Sequence, residues 1–206
     1  MTTSLRHLAA ALLRGEVGAA EQVEELARRL AGLTPAEHGF SHLALEQAHE
    51  QAELADRLAA AHRGRLHGLL IPVKDLSDVR GMPTTFGSAH RTRPAGDTDP
   101  VARALLDAGA IIPGKSAAAE LGLTIYTEPS GLPFPDNPLW PGRTPAGSSG
   151  GAAVLVARGI LPAAHASDGG GSIRVPSACT GLVGLKTSRG RVPLSPLASE
   201  SWYGFV

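Results

Sequence analysis

Cysteine, net charge and long apolar runs are what this sequence has least of, and each shortage narrows its function. The single cysteine, Cys179, excludes an intramolecular disulfide and fits a reducing compartment, so a cytoplasmic setting is expected. Lys and Arg number 19, as do Asp and Glu, and the formal net charge is zero. Nucleic acid is therefore not expected as the main partner, because neutralising phosphates needs a basic surplus. No apolar run is long enough to span a bilayer, so no membrane partner is expected either. The first 30 residues carry Glu16, Glu21, Glu24 and Glu25 without a continuous apolar core, which argues against a secretory signal. No internal repeat is visible. What remains is a chain of 206 residues, 43% hydrophobic and 18% charged. That is a globular composition, long enough for one sizeable domain with its own core.

Along the chain, residues 1–62 read as helices. Leu5, Leu8, Ala9 and Leu12 fall on one helical face, broken by Gly15 and Gly18. Val23, Leu26, Ala27 and Leu30 make a second face, ended by Gly32 and Pro35, and Ala44 to His62 is an alanine-rich third helix. The expected division is an N-terminal helical segment over 1–65 and an α/β part over 66–206. From residue 66 the character changes. Leu69 to Val73 is a short apolar strand with Lys74 and Asp75 at its C-terminal end. Asp99-Pro100 caps a helix through Leu106, and Ala110 to Pro113 is another buried strand. Strands alternating with helices predict an α/β layered fold. Residues 129–148 form a long loop rich in Pro, Gly and Asn, and a helix is predicted from Gly150 to Arg158. The chain's last residues, Ser201 to Val206, read as a strand cut midway.

The chemistry concentrates in the glycine-rich stretch 147–186. Gly147-Ser148-Ser149-Gly150-Gly151 is a turn opening a helix, and Asp168-Gly169-Gly170-Gly171-Ser172-Ile173-Arg174 follows. Consecutive glycines can turn several backbone N–H groups toward one point. Such a nest holds a negative oxygen, which acyl transfer needs at its tetrahedral intermediate. A serine at its end, Ser172, is placed to be a nucleophile but requires a base. Lys74, at a strand end with an apolar approach, is the candidate, because partial burial lowers a lysine pKa toward neutrality. On the residues alone two readings stand: hydrolysis by this set, or tight glycine turns with Lys74 as a surface lysine in an ion pair.

Four motifs then agree in order and spacing: Pro72-Val73-Lys74-Asp75, Gly147 to Gly151, Asp168 to Arg174, and Gly181-Leu182-Val183-Gly184-Leu185-Lys186. Together they resemble the amidase signature family, from about residue 3 to the end. The resemblance implies that family's fold, an α/β fold with a mixed central sheet between helical layers. It also implies a Ser-Ser-Lys triad: Ser172 as nucleophile, Ser148 after a cis peptide bond as proton relay, Lys74 as base. The backbone N–H groups of Gly169, Gly170, Gly171 and Ser172 would stabilise the oxyanion. Ser149, Asp168 and Arg174 are expected as structural support, with Asp168 and Arg174 paired to hold the glycine loop. The implied substrate is a small-molecule amide, with no cofactor and no metal, and a homodimer is possible at full length. Two departures stand out, Gly169 where the family often has Thr or Ile, and Ala166-Ser167 where Gly-Thr is common. The chain is also shorter than family members, so it is expected to be the N-terminal part of such an enzyme. Two rival readings remain: the glutaminase subunit of a tRNA-dependent amidotransferase, and an inactive fragment serving as an interaction module.

Other motifs carry less. Gly109 to Ser116 matches the P-loop pattern, but a helix precedes it and the apolar strand lies inside it. An ordinary strand with Lys115 at its end is the better reading. His38, His42, His62 and His67 lack a carboxylate to complete a metal set and are expected in loops or solvated. Cys179 is expected to be a packed core thiol.

Overall fold

A computed structural model describes residues 4–192. The expected strand at Ser201 to Val206 lies outside the described residues.

The chain opens with helix α1 (Leu5–Arg14), where Ser4 accepts a hydrogen bond from the His7 N–H at the start and Gly15 takes a left-handed conformation at the end. Helix α2 (Ala19–Leu30) begins after Gly18, which has no side chain to cap it. A carboxylate from elsewhere does so: Asp56 accepts the N–H groups of Ala19 and Ala20 at 2.6 and 3.0 Å. Helix α3 (Pro35–His38) is one turn, started by a capping box between Thr34 and Glu37. Strand β1 (Phe40–Leu43) follows, then helix α4 (Leu45–Asp56) and a short 3₁₀ turn at Ala60–His62. The first 62 residues are therefore not all helical. The four residues of β1 are too few to show a period of two, and only pairing with a distant strand makes them extended.

Strand β2 (Val73–Lys74), helix α5 (Pro100–Asp107) and strand β3 (Gly114–Ser116) complete a mixed three-stranded sheet in the order β1-β3-β2. β1 runs antiparallel to β3 and β2 parallel to it. The apolar runs read as strands at 69–73 and 110–113 do pair, through Leu70 and Ile111, but the regular ladder begins later. Pro72 and Pro113 lack N–H groups and interrupt it. Alternate residues feed different sides. Leu70 and Ile111 pack with α2, α4 and Leu155, while Leu69, Ile71 and Ala110 pack with Leu12. Val73 and Ile112 join Val79, Met82 and Ala102. A sheet buried on both faces explains why these strands are continuously apolar. Asp99 sits at the N-cap of α5 yet does not cap it. Its carboxylate accepts the Asp78 N–H instead, at 2.9 Å.

Helix α6 (Gly150–Ala157) enters the core beside β3, and helix α7 (Arg174–Cys179) closes the described part. Glycine is required at Gly151. A Cβ there would lie 2.3 Å from both the Ala117 nitrogen and the Gly39 oxygen. The start of α6 thus presses directly on sheet backbone. Thr127, fully buried, caps it by accepting the Gly150 N–H while donating to the Ala146 carbonyl.

The Gly109–Ser116 segment ends in β3, with no helix at its end to receive a phosphate. His38 ends α3 and is buried, contrary to expectation, while His67 lies in a turn but is also buried. His38 turns its Nδ1 inward to accept the Phe40 N–H, and His67 packs against the Gly109 turn. Cys179 is exposed, which corrects its reading as a core thiol. The buried positions of α7 are Pro176 and, just after it, Thr180, one turn apart, and Cys179 lies off that stripe.

Candidate active site

Lys74 ends β2 and is wholly buried. The backbone is fixed by parallel pairing, Asp75 donating its N–H to Ser116 at 3.0 Å. The Lys74 amine lies 2.8 Å from Ser148 Oγ, 3.1 Å from Ser167 Oγ and 3.4 Å from the Ser167 carbonyl. Among the described residues it forms no ion pair. Burial lowers its pKa from 10.5 to about 7, against the opposing charge of Asp168.

Ser148 lies at the foot of α6, fully buried, after a cis Gly147–Ser148 peptide bond. Its own carbonyl accepts the Ala119 N–H at 3.0 Å. Ser149 stands at the N-cap of α6, but its hydroxyl makes no cap. It donates to the Ser167 carbonyl at 3.3 Å, so it ties the two serine loops together.

Asp168 organises the loop that carries Ser172. One carboxylate oxygen takes the Gly171 N–H at 2.7 Å, the other the N–H groups of Ile173 and Arg174 at 3.1 and 3.3 Å. The Arg174 guanidinium grips both oxygens at 2.9 Å each. Arg174 above all, then these amides, holds the Asp168 carboxyl well below the usual carboxylate range against the opposing effect of burial. Ser172 sits between two clamped amides and is half-buried. Among the described residues its hydroxyl makes no hydrogen bond to Ser148 or Lys74. The Gly171 N–H, expected toward an oxyanion, here donates to Asp168. The N–H groups of Gly169, Gly170 and Ser172 have no acceptor among the described residues, and both glycines are exposed.

The Amidase family model matches residues 21–204, most of the chain. The chain belongs to the amidase family. AmiA2 of Mycobacterium tuberculosis, which carries amidase in its name, is 44% identical over 179 residues, 84% of this chain. A crystal structure of an amidase superposes with a TM-score of 0.84 at 34% identity, over 96% of this chain and 46% of the other. Native peptide amidase from Stenotrophomonas maltophilia superposes at 0.82 with 29% identity, over 94% of this chain and 42% of its own. The fold is thus the amidase-signature fold. This amidase-family chain spans 37% of the length of AmiA2. Among its described residues no three His, Cys, Asp or Glu cluster as metal ligands, and no helix is long and apolar enough to cross a membrane.

Two residues touching Lys74 were not singled out as site residues from sequence. The Ser167 hydroxyl and carbonyl both accept from the Lys74 amine. His165 touches the Lys74 backbone, its Nδ1 accepting that N–H at 3.2 Å. The only sequence signal for either was proximity to Asp168.

Proposed function

We propose that this chain carries the catalytic centre of an amide hydrolase that cleaves carbon–nitrogen bonds of small linear amides through a Ser172 acyl-enzyme. The observation that carries this reading is the Lys74 amine, fully buried, unpaired with any carboxylate among the described residues, and 2.8 Å from Ser148 Oγ. A buried amine titrating near neutrality is a base at physiological pH, whereas an ordinary lysine is an ammonium with no lone pair to offer.

The steps follow from that pair. Ser172 Oγ gives its proton to Ser148, whose own proton passes to neutral Lys74. Ser172 Oγ bonds to the amide carbon as the carbonyl electrons move onto oxygen. The unclaimed N–H groups of Gly169, Gly170 and Ser172 receive that negative oxygen. On collapse the C–N bond breaks, and the leaving amine takes a proton from Ser148, replaced from the Lys74 ammonium. Water, activated by the same relay, then releases the acid and restores Ser172. Asp168 and Arg174 hold the loop geometry through these steps, and Ser149 holds the relay loop.

The test is covalent labelling by a fluorophosphonate, read by intact mass. One adduct on the protein and none on Ser172→Ala is the expected result. Labelling should accelerate as pH rises through about 7, as Lys74 loses its proton. Equal labelling of Ser172→Ala sinks the assignment.

A further inference from the structure

His165 precedes Asp168 by three residues and lies in neither serine loop's turn. Its two contacts to β2 form a pattern. β2 gives the N–H groups of its flanks, Ile71 and Asp75, to the β3 side. The Pro72 carbonyl and the Lys74 N–H therefore face the other way, onto the outer edge of the described sheet. Residue 165 meets both: its own N–H donates to Pro72 O at 3.0 Å, and its ring Nδ1 accepts the Lys74 N–H at 3.2 Å.

We propose that His165 is a positioning residue for Lys74, its backbone amide and uncharged ring nitrogen standing in for a neighbouring strand on the β2 edge of the described sheet. The inference rests on the reading of Lys74 as the base. A backbone neighbour would pair with the edge through a carbonyl. Here the chain has left strand geometry to reach Ser167 and Asp168, and a side chain completes the ladder. Only a neutral ring can do this. With Nδ1 as acceptor the proton sits on Nε2, and a second proton would set N–H against N–H. The surroundings keep the ring neutral. Burial pushes its pKa down to about 4, helped by the charges of Lys74 and Lys115, while Asp168 is the acid acting on Lys74 itself. Pinning the backbone N–H fixes where the Lys74 side chain departs, and hence its approach to Ser148 and its separation from water.

The chain has three lysines, Lys74, Lys115 and Lys186, so ¹³Cε resonances of labelled lysine can follow Lys74 individually. In the unaltered protein Lys74 should titrate near 7. In His165→Leu the loosened strand end admits water, and the value should rise by at least about one unit. Fluorophosphonate labelling of Ser172 should slow about 10²-fold, the cost of a small misplacement. His165→Asn hangs an oxygen from the same carbon that bears Nδ1, and should recover most of both losses. Should the leucine variant not fold, His165→Ala deletes only the ring and carries the same expectation. An unmoved Lys74 titration with unchanged labelling in the leucine or alanine variant overturns the proposal. So does an asparagine variant no better than the leucine one. If the unaltered protein takes no label while Lys74 titrates as described across the variants, the hydrolase reading falls and the positioning role stands.

Discussion

Two lysines lie on adjacent strands, both with no exposed surface, and the fold treats them oppositely. Lys115, opposite Val73 in the parallel ladder, reaches Asp75 at 3.5 Å, with the Thr84 hydroxyl at 3.0 Å. Asp75 is in turn held by the N–H and hydroxyl of Thr85. Among the described residues the amine of Lys74, one step along on the other strand, meets only serine oxygens. Burial lowers both pKa values, but at Lys115 Asp75 pulls back through charge and hydrogen bond. The comparison separates burial from function. A buried ammonium matched to a carboxylate is a strut, and a buried amine given hydroxyls is poised to exchange protons.

The largest expected effect breaks the Lys74 side of this comparison. Lys74→Ala should lower turnover by several orders of magnitude, since acid–base help is worth about 10²–10⁴-fold and the nucleophile also loses its activation. Its pH–rate profile should lose the rise near neutrality, and a normal profile would contradict the role. On the other side, Lys115→Met should act on stability, costing about 3–5 kcal/mol by stranding the Asp75 charge in the core. Denaturant unfolding measures it. Changing both Lys115 and Asp75 to apolar residues should recover part of that loss, but not all, because Thr85 would then lack its acceptor.

A finer test converts one lysine into the other. Ser167→Asp places a carboxylate beside the Lys74 amine and should raise its pKa by about 1–3 units. The pH midpoint of labelling should move up with it. The most gradual effect, spread over several pH units, is on stability. Lys74 binds its proton below about 7 when folded but up to about 10.4 when unfolded. Between those values the unfolded chain holds more protons, so stability rises with pH by up to about 1 kcal/mol per unit. Lys74→Met should flatten that slope in pH-dependent melting and, below pH 7, melt higher than the parent.

Much of this site is legible in the sequence because its parts are backbone devices. Glycine runs, the serines between them and a lysine after an apolar strand are local patterns, and the helices at 5–14 and 19–30 show their periodicity directly. What could not be read is what depends on a distant partner. β1 is extended because β3 lies beside it. Lys115 looked like an ordinary strand-end residue because Asp75 is 40 positions away. Asp56 capping α2, Thr127 capping α6 and His165 against Lys74 are likewise tertiary contacts with no spacing rule. Gly171 shows the limit within a motif: three glycines offer donors, and only the structure shows which one Asp168 has already taken.

The clamp around Asp168 has a signature in time as well as in space. Gly171, Ile173 and Arg174 give their amide hydrogens to one carboxylate, whereas Gly169 and Gly170, just before them, and Ser172, between them, give theirs to nothing described. In deuterated solvent the segment should exchange in two populations, fast at the unclaimed amides and slow at the claimed ones, although the residues are neighbours. Slow motion of the whole loop would blur that contrast. Its persistence would mean that the loop stays closed around Asp168 and exchanges only at the amides the carboxylate does not hold.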